Sequence, residues 1–155
     1  MLILLLHVYN FPELQVLNFK RCGATAVKIG NHLYVAGGGD MPFDYFCKTS
    51  TEMLDLQKCE EWVTVSKMAE PRKHFSSAVF KGLNLISYVY EFLERSCTLL
   101  IILFIAGCMV VTGGRGGGKY LSSCEKYRRN GNEWQPFKPM IHGREYHAMA
   151  CLNGE

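Results

Sequence analysis

Gly113 to Tyr120, GGRGGGKY, is the stretch whose spacing comes nearest to known chemistry. Counted from Gly113 it satisfies G-x-x-x-x-G-K, the loop whose amides cradle phosphate, and it follows an apolar run that reads as a strand. Tyr120, however, stands where a Ser or Thr hydroxyl would hold magnesium. The following LSSCEKY reads as a strand, not as the helix whose N-terminus binds the anion. The expectation is a glycine-rich loop that happens to end in Lys. His142 and His147 are five apart, with no Glu in an H-E-x-x-H arrangement and no cysteine pair nearby, so no metal site is expected. Glu52, Asp55, Glu60 and Glu61 read as a solvated turn and not as paired carboxylates in a cleft. Cys59 and Cys124 lack a companion base at a recognisable spacing. No catalytic constellation and no cofactor site emerges, and the chain is not expected to be an enzyme.

The composition narrows the class further. One hundred and fifty-five residues suit one ordinary domain, and 48% hydrophobic with 20% charged residues argues against disorder. Lys and Arg exceed Asp and Glu by 17 − 14 = 3, and the charges are scattered, which disfavours a nucleic-acid binder. Seven cysteines, an odd number without a C-x-x-C pair, favour reduced thiols and a cytoplasmic setting. Residues 1–20 form an atypical apolar tail without the basic start of a secretory signal. Ser96 to Thr112 is uncharged, but its apolar core, Leu99 to Val111, falls short of the ~20 residues that span a bilayer. A membrane anchor there is the weakest of the readings.

The elements that position these residues come in copies. HLYVAGG, ending in Gly37 and Gly38, is echoed by CMVVTGG, ending in Gly113 and Gly114. After the first pair come Glu52, Trp62, Met68 and Arg72; after the second come Glu125, Trp134, Met140 and Arg144. Trp to Met is six residues both times, and Met to Arg is four. A third set aligns without gaps: RCGATAVKIGN from Arg21, RKHFSSAVFKG from Arg72 and REYHAMACLNG from Arg144. Each runs from Arg through small and apolar residues to a turn-like pair containing Gly, which predicts the first arm of a hairpin.

Arg21 to Arg72 is 51 residues but Arg72 to Arg144 is 72. Removing the 25 residues Leu83 to Gly107 restores the register, so 83–107 is read as an insertion, possible as a translated intron, that matches neither strand alternation nor repeat. The organisation expected is therefore a tail (1–20), a first repeat with the inner strand of the next (21–82), the insertion (83–107) and a truncated second repeat (108–155).

This ladder resembles the Kelch repeat, in which each copy of about 50 residues supplies one four-stranded blade of a β-propeller. The resemblance implies an all-β partial propeller of about two blades, with Trp62 and Trp134 as apolar plates between sheets. Gly37, Gly38, Gly113 and Gly114 would permit close backbone approach. Leu54 stands where the second copy has Tyr127, and His147 stands where the others have Ala24 and Phe75, so His147 is expected to fill a packing slot. For Arg72 and Arg144, structural hydrogen bonds to loop carbonyls are one reading.

The resemblance further implies that loops at one face capture partner peptides. They map to Asp40 to Ser50 and Arg115 to Leu121, with Arg72 and Arg144 at the turns that link blades. Candidate contact residues are Asp40, Phe43, Tyr45, Phe46, Arg72, Arg115, Lys119, Tyr120 and Arg144; acidic or apolar peptide segments would suit the basic and aromatic members. The implied role is a protein-interaction module, with substrate recognition for a cullin-RING ubiquitin ligase drawn from the family alone, since no BTB-like helical segment stands in the sequence. A cytoskeletal, actin-binding role is the alternative.

Overall fold

The computed structural model describes residues 15–40, 46–80, 85–88, 103–104 and 108–151, and within them thirteen strands and one short 3-10 turn, with no α-helix. The first half holds β1 (Thr25–Ile29), β2 (His32–Ala36), β3 (Thr51–Asp55), β4 (Val63–Val65) and β5 (Ser76–Phe80). Next come β6 (Leu85–Tyr88), β7 (Leu103–Phe104), β8 (Cys108–Thr112), β9 (Arg115–Gly116) and β10 (Lys119–Tyr120). Last are β11 (Cys124–Arg128), β12 (Glu133–Phe137) and β13 (Ala148–Cys151).

Two antiparallel blades follow from the repeat. The first has the order β4-β3-β2-β1, with β7 lying parallel beside β1; the second has the order β12-β11-β8-β5. Gly30, at φ +58°, supplies the left-handed residue of the tight turn that sets Ile29 opposite His32. Phe80 stands opposite Cys108 in the same way, so β5 and β8 pair in the register expected once Leu83 to Gly107 are passed over. Within the stretch 83–107, expected to be an insertion, residues 85–88 and 103–104 form strands where the sequence offers no strand pattern. Within them β6 pairs with β13, Leu85 opposite Cys151 and Tyr88 opposite Ala148, the register that Leu33 and Ala36 hold against Lys28 and Thr25. Apart from β6 and β7, residues 81–107 lie outside the described residues, as do residues 1–14.

The strands β1, β2 and β8 read as apolar runs because residues on both of their faces are buried. Along β2, Tyr34 and Ala36 join one core cluster while Leu33 and Val35 join another. The first cluster is the seam between blades: Val27, Ile29, Tyr34, Ala36 and Met68 meet Phe75, Val79, Met109, Val111 and Tyr127. Trp134 packs on that seam, 5.4 Å between ring centroids from Tyr127, which lies 5.4 Å from Tyr34. In the first blade Leu54, fully buried, takes the place of that middle tyrosine beside Trp62. The indole N–H of Trp134 donates to the carbonyl of Ser66 at 3.1 Å, and that of Trp62 to Gln15 at 2.8 Å. Burial of such rings contributes about 1.5–3 kcal/mol each or more.

Gln15 and Ser66 are 51 residues apart, as are Leu17 and Met68, which pack at equivalent places. Residues 15–20, assigned by sequence to the tail, therefore trace the same inter-blade linker as 66–71.

Candidate functional site

Two buried arginines fix the face on which the loops stand. The Arg21 guanidinium donates to the carbonyls of Gly37 at 2.6 Å and Ser50 at 3.0 Å, to Ser50 Oγ at 2.8 Å and to Glu52 Oε1 at 2.9 Å. Arg72 repeats the set one blade later, on Gly113 at 2.8 Å, Ser123 carbonyl and hydroxyl at 3.1 Å, and Glu125 Oε1 at 2.8 Å. Each carboxylate also caps the linker before it: Glu52 accepts from the Asn18 amide and Glu125 from the Ala69 amide, both at 2.8 Å. Burial pushes the Arg21 pKa down, and its hydrogen bond and charge contact with Glu52 oppose that.

Arg72 and Arg144 tie successive blades through their backbone carbonyls. The Gly38 amide donates to the Arg72 carbonyl at 2.9 Å, and the Gly114 amide to the Arg144 carbonyl at 2.8 Å. Gly37 and Gly113, at φ +64° and +61°, face those carbonyls so closely that a Cβ on either would lie 2.6 Å from the oxygen. The double glycine is thus required by a left-handed backbone and by close approach together.

Above these rivets the chain builds a rim. Arg115 to Tyr120 closes as a β9–β10 hairpin turning through Gly117 and Gly118, with Tyr120 opposite Arg115. The amides of Gly113 and Gly114 are spent on the carbonyls of Ser123 and Arg144, so the glycine run is a hairpin and not a phosphate cradle. Arg115 lies 5.9 Å over the Tyr120 ring and 3.9 Å from the Glu145 carboxylate. The Cys47 thiol donates to the Arg115 carbonyl at 3.2 Å, which joins the first blade's loop to the second blade's hairpin. Phe46 beside it is 79% exposed and Tyr120 62% exposed.

The inner strands open onto the same face. Gly23, His74 and Tyr146 occupy the third place after Arg21, Arg72 and Arg144 respectively counted inclusively, and all have φ between +53° and +67°. The His74 amide donates to Gly23 at 2.8 Å and the Tyr146 amide to His74 at 2.9 Å, and the two rings stack 4.4 Å apart. Burial, then the charges of Lys73 and Arg115, push the His74 pKa down to about 4.

A family profile described as the Kelch motif matches residues 20–69 and 102–141. The chain belongs to the Kelch-repeat family. Kelch-like protein 21 of Rattus norvegicus is 33% identical over 67 residues, and that of Homo sapiens 31% over 67. Those matches span 43% of this chain and 11% of the relatives' length. Among solved structures, YjhT superposes with a TM-score of 0.62 at 19% identity, over 91% of this chain and 34% of its own. A fungal alcohol oxidase of the AA5 family, solved with copper, gives 0.56 at 12%, over 80% of this chain and 23% of its own. Both show the fold alone.

Within this Kelch array the candidate residues divide. Arg115, Lys119 and Tyr120 lie on the β9–β10 hairpin, Phe46 precedes the Cys47 that bonds to it, and Phe43 and Tyr45 lie outside the described residues. Asp40 is tied to Lys48 by an ion pair at 2.6 Å. Arg72 is wholly buried, and its two terminal nitrogens donate to Gly113, Ser123, Glu70 and Glu125 of its own chain. Arg144 sits half-buried at the turn, its amide bonded to Leu121 at 3.1 Å. Trp62 is buried and Trp134 partly so, both against the sheets they were expected to separate. His147 fills the slot that Phe75 fills one blade earlier, its ring against Gly113 as the Phe75 ring lies against Gly37. Its Nε2 meets Thr112 Oγ1 at 2.8 Å, and burial followed by the Arg144 charge lowers its pKa to about 4. Sequence reasoning missed Cys47, His74, Glu145 and Tyr146; the last three follow from counting one and two places past the aligned arginines.

Among the described residues no group of His, Cys, Asp and Glu could hold a metal ion, and no helix is long and apolar enough to cross a membrane. The last five residues of the uncharged stretch 96–112 are the blade strand β8.

Proposed function

We propose that this Kelch array is a protein-interaction module and not an enzyme, and that its rim grips an acidic peptide segment bearing an aromatic or aliphatic side chain. One observation carries the reading: the Cys47–Arg115 hydrogen bond ties a loop of one blade that carries the exposed Phe46 to the hairpin of the next that carries Arg115 and the exposed Tyr120. Lys119 adds a second, exposed cation to the hairpin. Exposed aromatics grouped with arginine on loops held by a rigid scaffold suit a binding patch, where such residues carry most of the affinity. A carboxylate-rich segment complements the two cations in charge, and Phe46 and Tyr120 offer the apolar area.

The family resemblance extends the proposal to substrate recognition for a cullin-RING ubiquitin ligase in the cytoplasm. The parent protein then carries a BTB segment and co-purifies with a cullin; a parent lacking both removes this extension and leaves the peptide-binding proposal standing.

Calorimetric titration with acidic, neutral and basic peptides tests the rim. Acidic peptides that contain an aromatic residue bind, and Arg115→Glu or Phe46→Ser weakens them about tenfold or more. Equal binding by acidic and basic peptides, or by wild type and both variants, overturns the proposal.

A further inference from the structure

The place after each repeat arginine is taken by Cys22, Lys73 and Glu145 in turn. The first two bridge the residue that follows the double glycine of their own blade. Cys22 exchanges backbone hydrogen bonds with Gly39 at 2.7 and 2.9 Å, and Lys73 with Arg115 at 3.0 and 2.8 Å. Gly39 and Arg115 therefore hold one repeat position. The next inner segment enters alongside that position: with the Gly114 amide on the Arg144 carbonyl, Glu145 comes to Arg115, carboxylate to guanidinium at 3.9 Å. One blade earlier the corresponding couple is Lys73 and Gly39, which has no side chain to meet. Among the described residues the Arg115–Glu145 couple thus belongs to the second blade alone, and the repeat does not require it.

The couple is loosely closed. At 3.9 Å it is longer than a hydrogen bond, so charge holds it without a shared proton. The Glu145 side chain is 14% exposed, and its Oε2 is buried with no hydrogen-bond partner among the described residues. Burial pushes the Glu145 pKa up, against the charges of Arg115 and then Lys73. The Arg115 side chain is 35% exposed, on a hairpin whose Tyr120 ring lies 5.9 Å from it. A carboxylate from outside can give that guanidinium two hydrogen bonds at once, which Glu145 at its distance does not. Until Glu145 gives way, it also repels the incoming acid.

We propose that Glu145 is the specificity-determining residue of the rim, an internal competitor that holds Arg115 in the unbound chain and yields it to a partner's carboxylate. A segment is taken when its acid bonds Arg115 better than Glu145 does, and one that offers only a neutral polar group is refused. The proposal rests on the rim as the peptide-binding surface.

Glu145→Gln keeps the shape and removes the charge. In the full chain it tightens calorimetric binding of an acidic peptide that contains an aromatic residue by about threefold or more. With Arg115→Gln already in place the same substitution changes affinity by less than about twofold, because the competitor has lost what it competes for. Glu145→Asp, which keeps the charge one methylene further back, falls between wild type and Glu145→Gln. A second readout needs no peptide. Phenylglyoxal, which adds to accessible guanidinium groups, modifies Arg115 about threefold faster with Glu145→Gln, while the exposed Arg128 keeps its rate. Affinity unchanged or lowered by Glu145→Gln, or an Arg115 rate that does not rise, overturns the proposal. Peptides that bind wild type and Arg115→Glu alike overturn the rim reading and this proposal with it. Peptides that need Arg115 but ignore Glu145→Gln overturn this proposal alone.

Discussion

Arg72 and Glu125 form a buried ion pair at 2.8 Å across the start of one blade and its third strand, and Arg21 and Glu52 repeat it at 2.9 Å one blade earlier. Fifty-three residues separate the first pair and 31 the second, so each closes a long loop. Neither member has water to fall back on. Arg72→Ala leaves Glu125 with two backbone amides and no counter-charge, and a destabilisation of about 3–5 kcal/mol is expected in urea unfolding. Arg72→Lys recovers little, since the donors must reach Gly113, Ser123 and Glu125 at once. A loss below about 1 kcal/mol would show that the pair does not tie the blade.

The glycines divide into two kinds. Gly113→Ala sets a Cβ 2.6 Å from the Arg144 carbonyl at φ +61°, against backbone that cannot yield. Gly117, at φ +55°, has nothing within 4 Å of where its Cβ would stand, and Asn is at home in the first left-handed place of a two-residue hairpin. Thermal melts should therefore show a fall of several degrees for Gly113→Ala and almost none for Gly117→Asn. Comparable falls would mean that the second pair of glycines is also held by contacts.

Acid should weaken the fold in a defined window. His74 and His147 have pKa values lowered to about 4, against about 6.5 for an unfolded histidine. Above pH 6.5 both states are neutral and the full stability is present. Between 6.5 and about 4 the unfolded chain takes up protons that the folded chain refuses, so stability falls as pH falls. Glu145, raised by burial, works in the opposite sense, and a comparison of variants cancels it. His147→Phe, which places in the slot the residue that the blade before it uses, should flatten the dependence of urea midpoint on pH between 7 and 4.5. An unchanged slope would mean that His147 takes up its proton over the same pH range in the folded and unfolded chain.

Much of this fold was legible in residue types at fixed spacing, because a blade repeats its demands. Gly-Gly and Met-x-x-x-Arg recur because Gly37 and Gly113 both face the carbonyl of a repeat arginine and Arg21 and Arg72 hold the same set of acceptors. The role of Glu52 and Glu125 was not legible. Their partners lie 31 and 53 residues away, and nothing local distinguishes a buried acid from a solvated one. Residues 15–20 escaped notice because what they repeat is carried by backbone groups, the Gln15 carbonyl and the Asn18 amide, to which the side chains give no clue. The tie between the loop that carries Phe46 and the hairpin that carries Arg115 is a thiol contact from Cys47, 68 residues from Arg115, and could be read only from the structure. Leu85 to Tyr88 matches no repeat, yet it pairs with β13 in a regular antiparallel register.

The rim is tested most directly by finding where a bound peptide lies. An acidic peptide tipped with a benzophenone is photo-cross-linked to the chain, and the adducts are located by mass spectrometry. The account predicts adducts at Phe46–Cys47 and at Arg115–Tyr120, lost together in Arg115→Glu. Adducts along the outer strands Val63–Val65 and Glu133–Phe137, indifferent to that substitution, would contradict it.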